Sequence, residues 1–167
     1  EIAYGSDKLG RLSQVTGTTF AGITDYLSNA SYRAWGATKH LDYGNGFKMD
    51  ATYNGRLQPA SSKVDNPSDS ENAVFDKTYE YYSDGALKLA DENGVSYTQN
   101  GVTYSTNMYD RSFTYNDVGH VLSAKSGVEA LGQTETDPKK LPYRDEYSFN
   151  AFGNLTIGEV SRWDAQY

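Results

Sequence analysis

A short pattern that recurs along the chain constrains the fold more than any other feature of the sequence. It consists of two aromatic residues separated by one residue, then three residues, a glycine, one further residue and an aliphatic side chain. Three segments match it fully, 79–87, 113–121 and 147–155. Their glycines, Gly85, Gly119 and Gly153, are spaced 34 residues apart. Copies at a fixed period indicate a fold built from one repeated unit.

The residue types in this pattern predict a strand, a short turn and a second strand. Aromatic residues two positions apart lie on the same face of a strand. The glycine can adopt the positive φ that tight hairpin turns need. Each copy is therefore interpreted as one β-hairpin whose paired aromatic side chains pack against neighbouring hairpins.

Three weaker copies extend the pattern toward the start of the chain. Segment 4–12 has Ser6 where the second aromatic residue is expected. Segment 32–36 keeps one aromatic residue and the glycine, and segment 53–57 is interpreted as a contracted copy with its turn at an Asn-Gly pair. Repeat turns are thus expected near residues 10, 36, 55, 85, 119 and 153.

The positions to which we assign a structural role are the turn glycines, the aromatic residues before them and the residues just after them. They are Gly10, Arg11, Leu12, Tyr32, Gly36, Tyr53, Gly55, Tyr79, Tyr81, Gly85, Leu87, Phe113, Tyr115, Gly119, Val121, Tyr147, Phe149, Gly153 and Leu155.

The remaining segments also predict an all-β chain with little or no helix. Phe47, Met49, Ala51 and Tyr53 alternate with polar residues, which is typical of a half-buried strand. Two short strands on either side of residues 100–101 are expected to form a hairpin. Polar loops are expected at about 59–73 and 127–143, and residues 1–167 are interpreted as a single repeat segment.

Aromatic residues must supply much of the core of such a sheet, because aliphatic residues are few. Leu, Ile, Val and Phe together account for 29 of 167 residues, whereas tyrosine alone accounts for 15. Tyrosine is favoured in strands and buries a large surface. We therefore expect tyrosine-rich sheet faces.

The net charge and the length of the apolar stretches limit the classes of partner that the chain is expected to bind. The net charge is −7, and no basic run is longer than Lys139-Lys140, which argues against nucleic-acid binding because phosphate contacts need basic patches. No apolar stretch approaches the 18 to 20 residues of a membrane span, so membrane insertion is not expected. Cysteine is absent, which excludes disulfides and thiolate metal sites.

No group of residues predicts catalysis or a cofactor. His40 and His120 lack metal-ligand spacing and are interpreted as turn or surface residues. Asp65, Asp69 and Glu71 could supply oxygen ligands for calcium, but the spacing of a calcium-binding loop is missing and favours a solvated loop. We therefore expect no enzyme activity, no metal and no cofactor.

The copies resemble the Rhs or YD repeat of bacterial proteins, whose consensus is close to Tyr-Asp-x-x-Gly-Arg-Leu. Segment 7–12, Asp-Lys-Leu-Gly-Arg-Leu, is the nearest match, and segments 115–119 and 149–155 follow the consensus with substitutions. The resemblance covers about residues 4–157, except for the two polar loops. It implies a strip of β-hairpins that coils in a spiral as an open sheet or solenoid. It also implies an exported bacterial protein, extracellular or at the cell surface.

In the family that this chain resembles, such strips form a hollow shell around a toxin domain, or an extracellular module as in teneurins. The family's self-cleaving segment carries paired Asp-Pro dipeptides, which are not matched here. The one candidate, Asp137-Pro138, lies upstream of the last copy. The resemblance therefore implies a non-enzymatic structural segment that acts as a shell or scaffold.

Two alternative functions stay open. A strip of hairpins has open strand edges that can pair with neighbouring repeats or with identical subunits, and head-to-tail pairing of identical subunits would build an extracellular filament. In the other alternative, tyrosines such as Tyr97 and Tyr104 bind glycans, as in a carbohydrate-binding or adhesion module.

Overall fold

The computed structural model describes residues 1–20, 22–68, 73–93, 96–99, 102–105, 109–134 and 143–163. Most of these residues lie in strands, and the described helical structure is short, such as the 3-10 helix Gly127–Glu129. The strands are β1 (Ile2–Ser6), β2 (Leu12–Phe20), β3 (Ile23–Tyr32), β4 (Thr38–Tyr43), β5 (Lys48–Tyr53), β6 (Pro59–Asp65), β7 (Phe75–Tyr81), β8 (Leu87–Glu92), β9 (Ser96–Gln99), β10 (Val102–Ser105), β11 (Arg111–Tyr115), β12 (Val121–Ser126), β13 (Tyr143–Phe149) and β14 (Leu155–Trp163). The prediction of an all-β chain is confirmed.

Twelve of these strands form one open antiparallel sheet, in the order β1 to β8 followed by β11 to β14. Strands that follow one another in the chain are neighbours in the sheet, as expected for a series of hairpins. β9 and β10 pair separately, with Tyr97 opposite Tyr104 in the backbone register. The two strands of this predicted hairpin are therefore confirmed, while its turn at 100–101 lies outside the described residues.

The chain divides into two compact units, Glu1–Asp76 and Lys77–Tyr167. The buried apolar residues are mostly small: they are Leu27, Ala30 and Ala51 in the first unit and Ala90, Ala124 and Val128 in the second. Strand aromatics such as Tyr53 and Phe113 are half-buried around them. Both units are built from hairpins, and the interpretation of residues 1–167 as one repeat segment stays a prediction.

Strand β5 shows how the sequence specifies a half-buried strand. Met49, Ala51 and Tyr53 are buried or half-buried, whereas the residues between them are exposed. Because side chains alternate between the two faces of a strand, the period of two in the sequence becomes one apolar and one polar face. The predicted half-buried strand is confirmed here.

The predicted polar loop at 59–73 is wrong over its first seven residues, which form strand β6. Its polar composition suggested a loop, but Val64 aligns with Met49 of β5, and the Ser61 and Thr52 hydroxyls are hydrogen-bonded at 2.6 Å. Pro59 is tolerated because it opens the strand. The predicted loop at about 127–143 stays a prediction: it contains the 3-10 helix Gly127–Glu129, residues 135–142 lie outside the described residues, and β13 begins at Tyr143.

Candidate functional site

Seven turns in the described part of the chain share one hydrogen-bond pattern. The first residue donates its N–H to the carbonyl of the fifth, and the fourth donates its N–H to the carbonyl of the first, at 2.8 to 3.0 Å. These repeat turns are 7–11, 33–37, 43–47, 54–58, 82–86, 116–120 and 150–154. The pattern is that of a type I turn followed by a left-handed residue that forms a bulge.

The fourth residue of each repeat turn has a positive φ. It is glycine in six turns, with φ between 76° and 97°, and Leu57 in the seventh, with φ of 65°. The predicted turns near 10, 36, 85, 119 and 153 therefore have their glycines at the left-handed position. The predicted turn near 55 is also present, at 54–58. The assignment of its left-handed place to Gly55 is wrong, because Gly55 is the second residue of the turn and Leu57 has the positive φ.

The first residue of several repeat turns closes the turn with its side chain. Asp7 Oδ1 accepts the backbone N–H groups of Leu9 and Arg11 at 2.8 and 2.9 Å. Asn54, Asn116 and Asn150 accept the equivalent pairs of N–H groups. The backbone N–H of Arg11 is the largest factor that lowers the pKa of Asp7. The need for a side-chain oxygen that accepts these two N–H groups explains why Asp or Asn suits the first position.

A second feature, which we call the tyrosine ladder, connects successive hairpins. At three of the seven repeat turns, the tyrosine immediately before the turn donates its hydroxyl to a carbonyl of the preceding hairpin. The three bonds run from Tyr32 to Leu12 at 2.7 Å, from Tyr53 to Thr38 at 2.8 Å and from Tyr115 to Leu87 at 3.0 Å. The acceptor always lies two positions after the left-handed glycine. The ladder therefore has the same geometry in both units.

At two repeat turns, the residue directly after the left-handed glycine covers an aromatic ring of the next hairpin. The Arg11 guanidinium lies over the Tyr32 ring, 4.8 Å from its centroid, and Nη1 donates to the Arg33 carbonyl at 3.1 Å. In the second unit His120 packs on Phe149 with ring centroids 4.6 Å apart. A basic or aromatic side chain at this place thus joins one hairpin to the next through a cation–π or ring contact.

Phe149 occupies a ladder position but has no hydroxyl to donate. A groove of about 480 Å³ lies beside it, lined by Phe113, His120, Val121, Ala124, Tyr147, Phe149 and Leu155. Its lining is mainly apolar, with an imidazole and a phenol as the polar groups.

The paired aromatics of the full copies lie on one strand face, as their spacing predicted. Phe113 and Tyr115 are half-buried and Thr114 between them is exposed. Sequence reasoning missed Tyr82, whose hydroxyl donates to the Phe113 carbonyl at 3.1 Å and whose ring meets Tyr115 edge to face at 6.0 Å. Burial raises the pKa of Tyr115 and favours the protonated hydroxyl that the ladder needs.

His40 is not a turn residue but lies on β4 between two carboxylates. Its Nδ1 is 2.8 Å from Asp50 Oδ1, and its Nε2 is 3.1 Å from Asp42 Oδ2. The hydrogen bond to Asp50 is the main reason that the pKa of His40 is raised, and Asp42 adds to it. His120, in contrast, is a turn residue as predicted.

Asp110 is completely buried, with Oδ1 accepting the Glu92 backbone N–H at 2.7 Å. Its Oδ2 makes no hydrogen bond to the described residues. Burial raises the pKa of Asp110 to about 6. This carboxyl joins the segment before β11 to the end of β8, and no local sequence signal marks it as buried.

The other candidates from the sequence give no site. Asp65 forms an ion pair with Lys63 at 2.8 Å, whereas Asp69, Glu71 and the Asp137-Pro138 pair lie outside the described residues. In the part of the chain that the structure describes, no group of three or more His, Asp or Glu side chains could hold a metal ion. No helix among these residues is long and apolar enough to cross a membrane.

Comparison with solved structures places the fold among large toxin assemblies. No family model and no curated protein matches the sequence. The fold matches a chain in the crystal structure of TcdB2-TccC3-Cdc42, with a TM-score of 0.71 and 20% identity over 99% of this chain. It also matches TcdB2-TccC3 without its hypervariable C-terminal region, with a TM-score of 0.70 and 21% identity over 95% of this chain.

A third match is the Photorhabdus luminescens Tc holotoxin pore, with a TM-score of 0.68 and 19% identity over 95% of this chain. This chain spans about 8% of the length of each of these chains. Its fold is therefore that of a segment found within much larger chains of Tc toxin complexes.

Proposed function

We propose that this chain is a non-enzymatic structural segment of an exported Rhs/YD-type protein, in which it acts as part of a shell or scaffold. The observation that carries the proposal is the tyrosine ladder, because each hairpin that carries it completes its hydrogen bonds on the hairpin before it. Such a unit is stabilised by its neighbours, as in other repeat proteins. The similarity in fold to segments of Tc toxin complexes supports the same function.

The polar groups of the chain support a structural role. Asp7 closes a turn and pairs with Arg11, and His40 bridges two carboxylates across neighbouring strands. These side chains are used to hold strands and turns in register, which is what a scaffold requires. An enzyme would instead direct such groups toward a substrate.

Export to the extracellular space or the cell surface is part of the proposal. It is supported by the likeness to a Tc holotoxin pore. The expected partners are other β-hairpins and other protein subunits rather than nucleic acid, because the net charge of −7 disfavours phosphate contacts.

Electron microscopy of the native protein tests this proposal. The polypeptide that contains residues 1–167 would be isolated from its source with an antibody raised against this chain. A shell segment is expected in hollow particles whose wall is a continuous β-sheet. Regular fibres with one copy of the chain per repeat would contradict the shell and favour the filament.

A further inference from the structure

We propose that the repeat turn 33–37 is a binding site for a carboxylate, held by the backbone N–H groups of Trp35 and Ala37 and by the guanidinium of Arg33. The ligand is the carboxylate of an Asp or Glu side chain, supplied by this polypeptide or by a partner. Binding at this turn does not depend on the shell or scaffold function.

The other repeat turns share a hydrogen bond that turn 33–37 lacks. In six of the seven, the fifth residue donates its N–H to a side-chain oxygen within the turn, at 2.8 to 3.3 Å. In four of these turns the same oxygen also accepts the N–H of the third residue. The oxygens belong to Asp7, Asn45, Asn54, Asp84, Asn116 and Asn150.

Turn 33–37 has no side-chain oxygen, because its sequence is Arg-Ala-Trp-Gly-Ala. The N–H groups of Trp35 and Ala37 therefore have no acceptor among the described residues. Trp35 is 48% exposed, and a Cβ at Gly36 would meet no atom within 4 Å, so the turn is open to solvent. N–H groups that converge in a turn with a left-handed residue form a concavity that binds anions.

Arg33 brings a positive charge to this turn. Its guanidinium lies over the Tyr53 ring, 5.9 Å from the centroid, and the Trp35 ring meets the same ring edge to face at 5.6 Å. The Arg33 Nε is buried without a hydrogen-bond partner, and the side chain forms no ion pair with the residues that the structure describes. A cation without a counter-ion among these residues thus lies in the one repeat turn whose N–H groups lack a side-chain acceptor.

Turn 7–11 shows how these donors bind a carboxylate. Asp7 Oδ1 accepts the N–H groups of the third and fifth residues at 2.8 and 2.9 Å, and Asp7 Oδ2 accepts Arg11 Nε at 2.7 Å. Turn 33–37 has the same kinds of donor, two backbone N–H groups and one guanidinium, without the carboxylate. Hydrogen bonds to an ionised acceptor are stronger than those to a neutral one. The ligand that fits the turn is therefore a carboxylate.

The neighbouring turns also favour an anion, although the whole chain has a net charge of −7. Turns 7–11, 33–37 and 54–58 connect β1 to β2, β3 to β4 and β5 to β6, so they lie at the same end of the strands in the first unit. Together they contain four basic residues and one acidic residue, which is a net charge of +3. A group of like charges raises the local concentration of the opposite ion.

An NMR titration of the isotope-labelled 167-residue chain with sodium acetate tests the proposal. Acetamide is the neutral control of nearly the same shape, and sodium chloride keeps the ionic strength constant. The backbone amides of Trp35 and Ala37 are expected to shift saturably with acetate, with half-saturation at about 10 mM, and not with acetamide. The amides of Arg56 and Gln58 are the internal control, because Asn54 already accepts their N–H groups in a turn that also carries an arginine.

Two substitutions separate the charge of Arg33 from the backbone donors. Arg33→Asn supplies an amide oxygen at the place from which Asn54 closes its own turn. In this variant the acetate shifts at Trp35 and Ala37 are expected to disappear. Arg33→Met leaves the N–H groups open and removes the charge, and it is expected to raise the half-saturating acetate concentration about tenfold.

Four results would each overturn the proposal. They are no saturable shift at Trp35 and Ala37 up to about 100 mM acetate, equal shifts at the control amides, equal shifts with acetamide, and an affinity that neither substitution lowers. The first of these results would mean that water alone occupies the turn.

Labelling with phenylglyoxal, which modifies arginine, distinguishes the two sources of the carboxylate. Labelling of Arg33 in the polypeptide isolated from its source is compared with that in the 167-residue chain in chloride. Protection that persists on dilution indicates a carboxylate of the same polypeptide, and protection that is lost on dilution indicates a partner. Labelling of Arg33 at the same rate in both, with and without added acetate, would overturn the site.

Discussion

Alanine at two glycines of the repeat turns separates the left-handed position from the rest of the turn. Gly10 has φ of 76° and Gly55 has no positive φ, and a Cβ at either residue would meet no atom within 4 Å. Steric overlap is thus absent in both variants, and the backbone conformation alone decides the outcome. Both glycines also lie in the first compact unit, so the two variants report on the same unfolding reaction.

Gly10→Ala is expected to lower the free energy of unfolding by about 1 to 2 kcal/mol, the cost of a left-handed conformation for a residue with a Cβ. Gly55→Ala is expected to raise it by about 0.4 to 1 kcal/mol, because alanine reduces the conformational entropy of the unfolded chain. Urea unfolding followed by circular dichroism measures both changes. Equal losses in the two variants would refute the assignment of Leu57 to the left-handed position.

Three further predictions concern substitutions at single residues. Gly44→Ala should prevent normal folding of the first unit, seen as lost near-ultraviolet dichroism, because its Cβ would overlap the Asp25 carbonyl oxygen. His40→Gln should lower the free energy of unfolding in urea below pH 6.5 and have little effect at high pH. The reason is that the folded pKa of His40 is raised, so protonated His40 stabilises the fold below its unfolded pKa, and this stabilisation is lost as the pH rises through its folded pKa. The folded pKa of Asp110, about 6, exceeds its unfolded value, so its charged carboxylate should lower the free energy of unfolding by up to about 3 kcal/mol above pH 6 and progressively less toward pH 4. Asp110→Asn should remove that pH dependence in urea unfolding.

The turns and the strand faces could be predicted because their causes are local. A glycine after polar residues indicates a left-handed turn position, and aromatic residues two apart indicate one strand face. This reasoning failed to locate the left-handed position in the turn at 54–58: it indicated Gly55, whereas Leu57 adopts the positive φ. It also failed at β6, because the serines and lysine of this segment are typical of a polar loop and only the pairing with β5 identifies a strand.

The contacts between hairpins could not be predicted, because their partners are distant in the sequence. Tyr32 is 20 residues from the Leu12 carbonyl, and the aromatic pattern gives no acceptor for its hydroxyl. The carboxylate of Asp50 reaches His40 only because β4 and β5 align these two residues. The function of the repeat positions thus depends on the register between strands, which a single sequence does not specify.

The central claim is that tyrosine hydroxyls before three of the repeat turns join those hairpins to the preceding ones, and Tyr53→Phe tests it most directly. The change removes the hydroxyl that donates to Thr38 at 2.8 Å and keeps the ring that packs on Trp35. Tyr4→Phe is the control within the same unit, since Tyr4 is 70% exposed and its hydroxyl makes no hydrogen bond to the described residues.

The free energy of unfolding in urea is the quantity to compare. Tyr53→Phe is expected to lower it by about 1 kcal/mol, the net value of one hydrogen bond to a half-buried carbonyl. Tyr4→Phe is expected to change it by less than about 0.5 kcal/mol, as for other surface substitutions. Equal effects of the two substitutions would contradict the ladder as the link between successive hairpins.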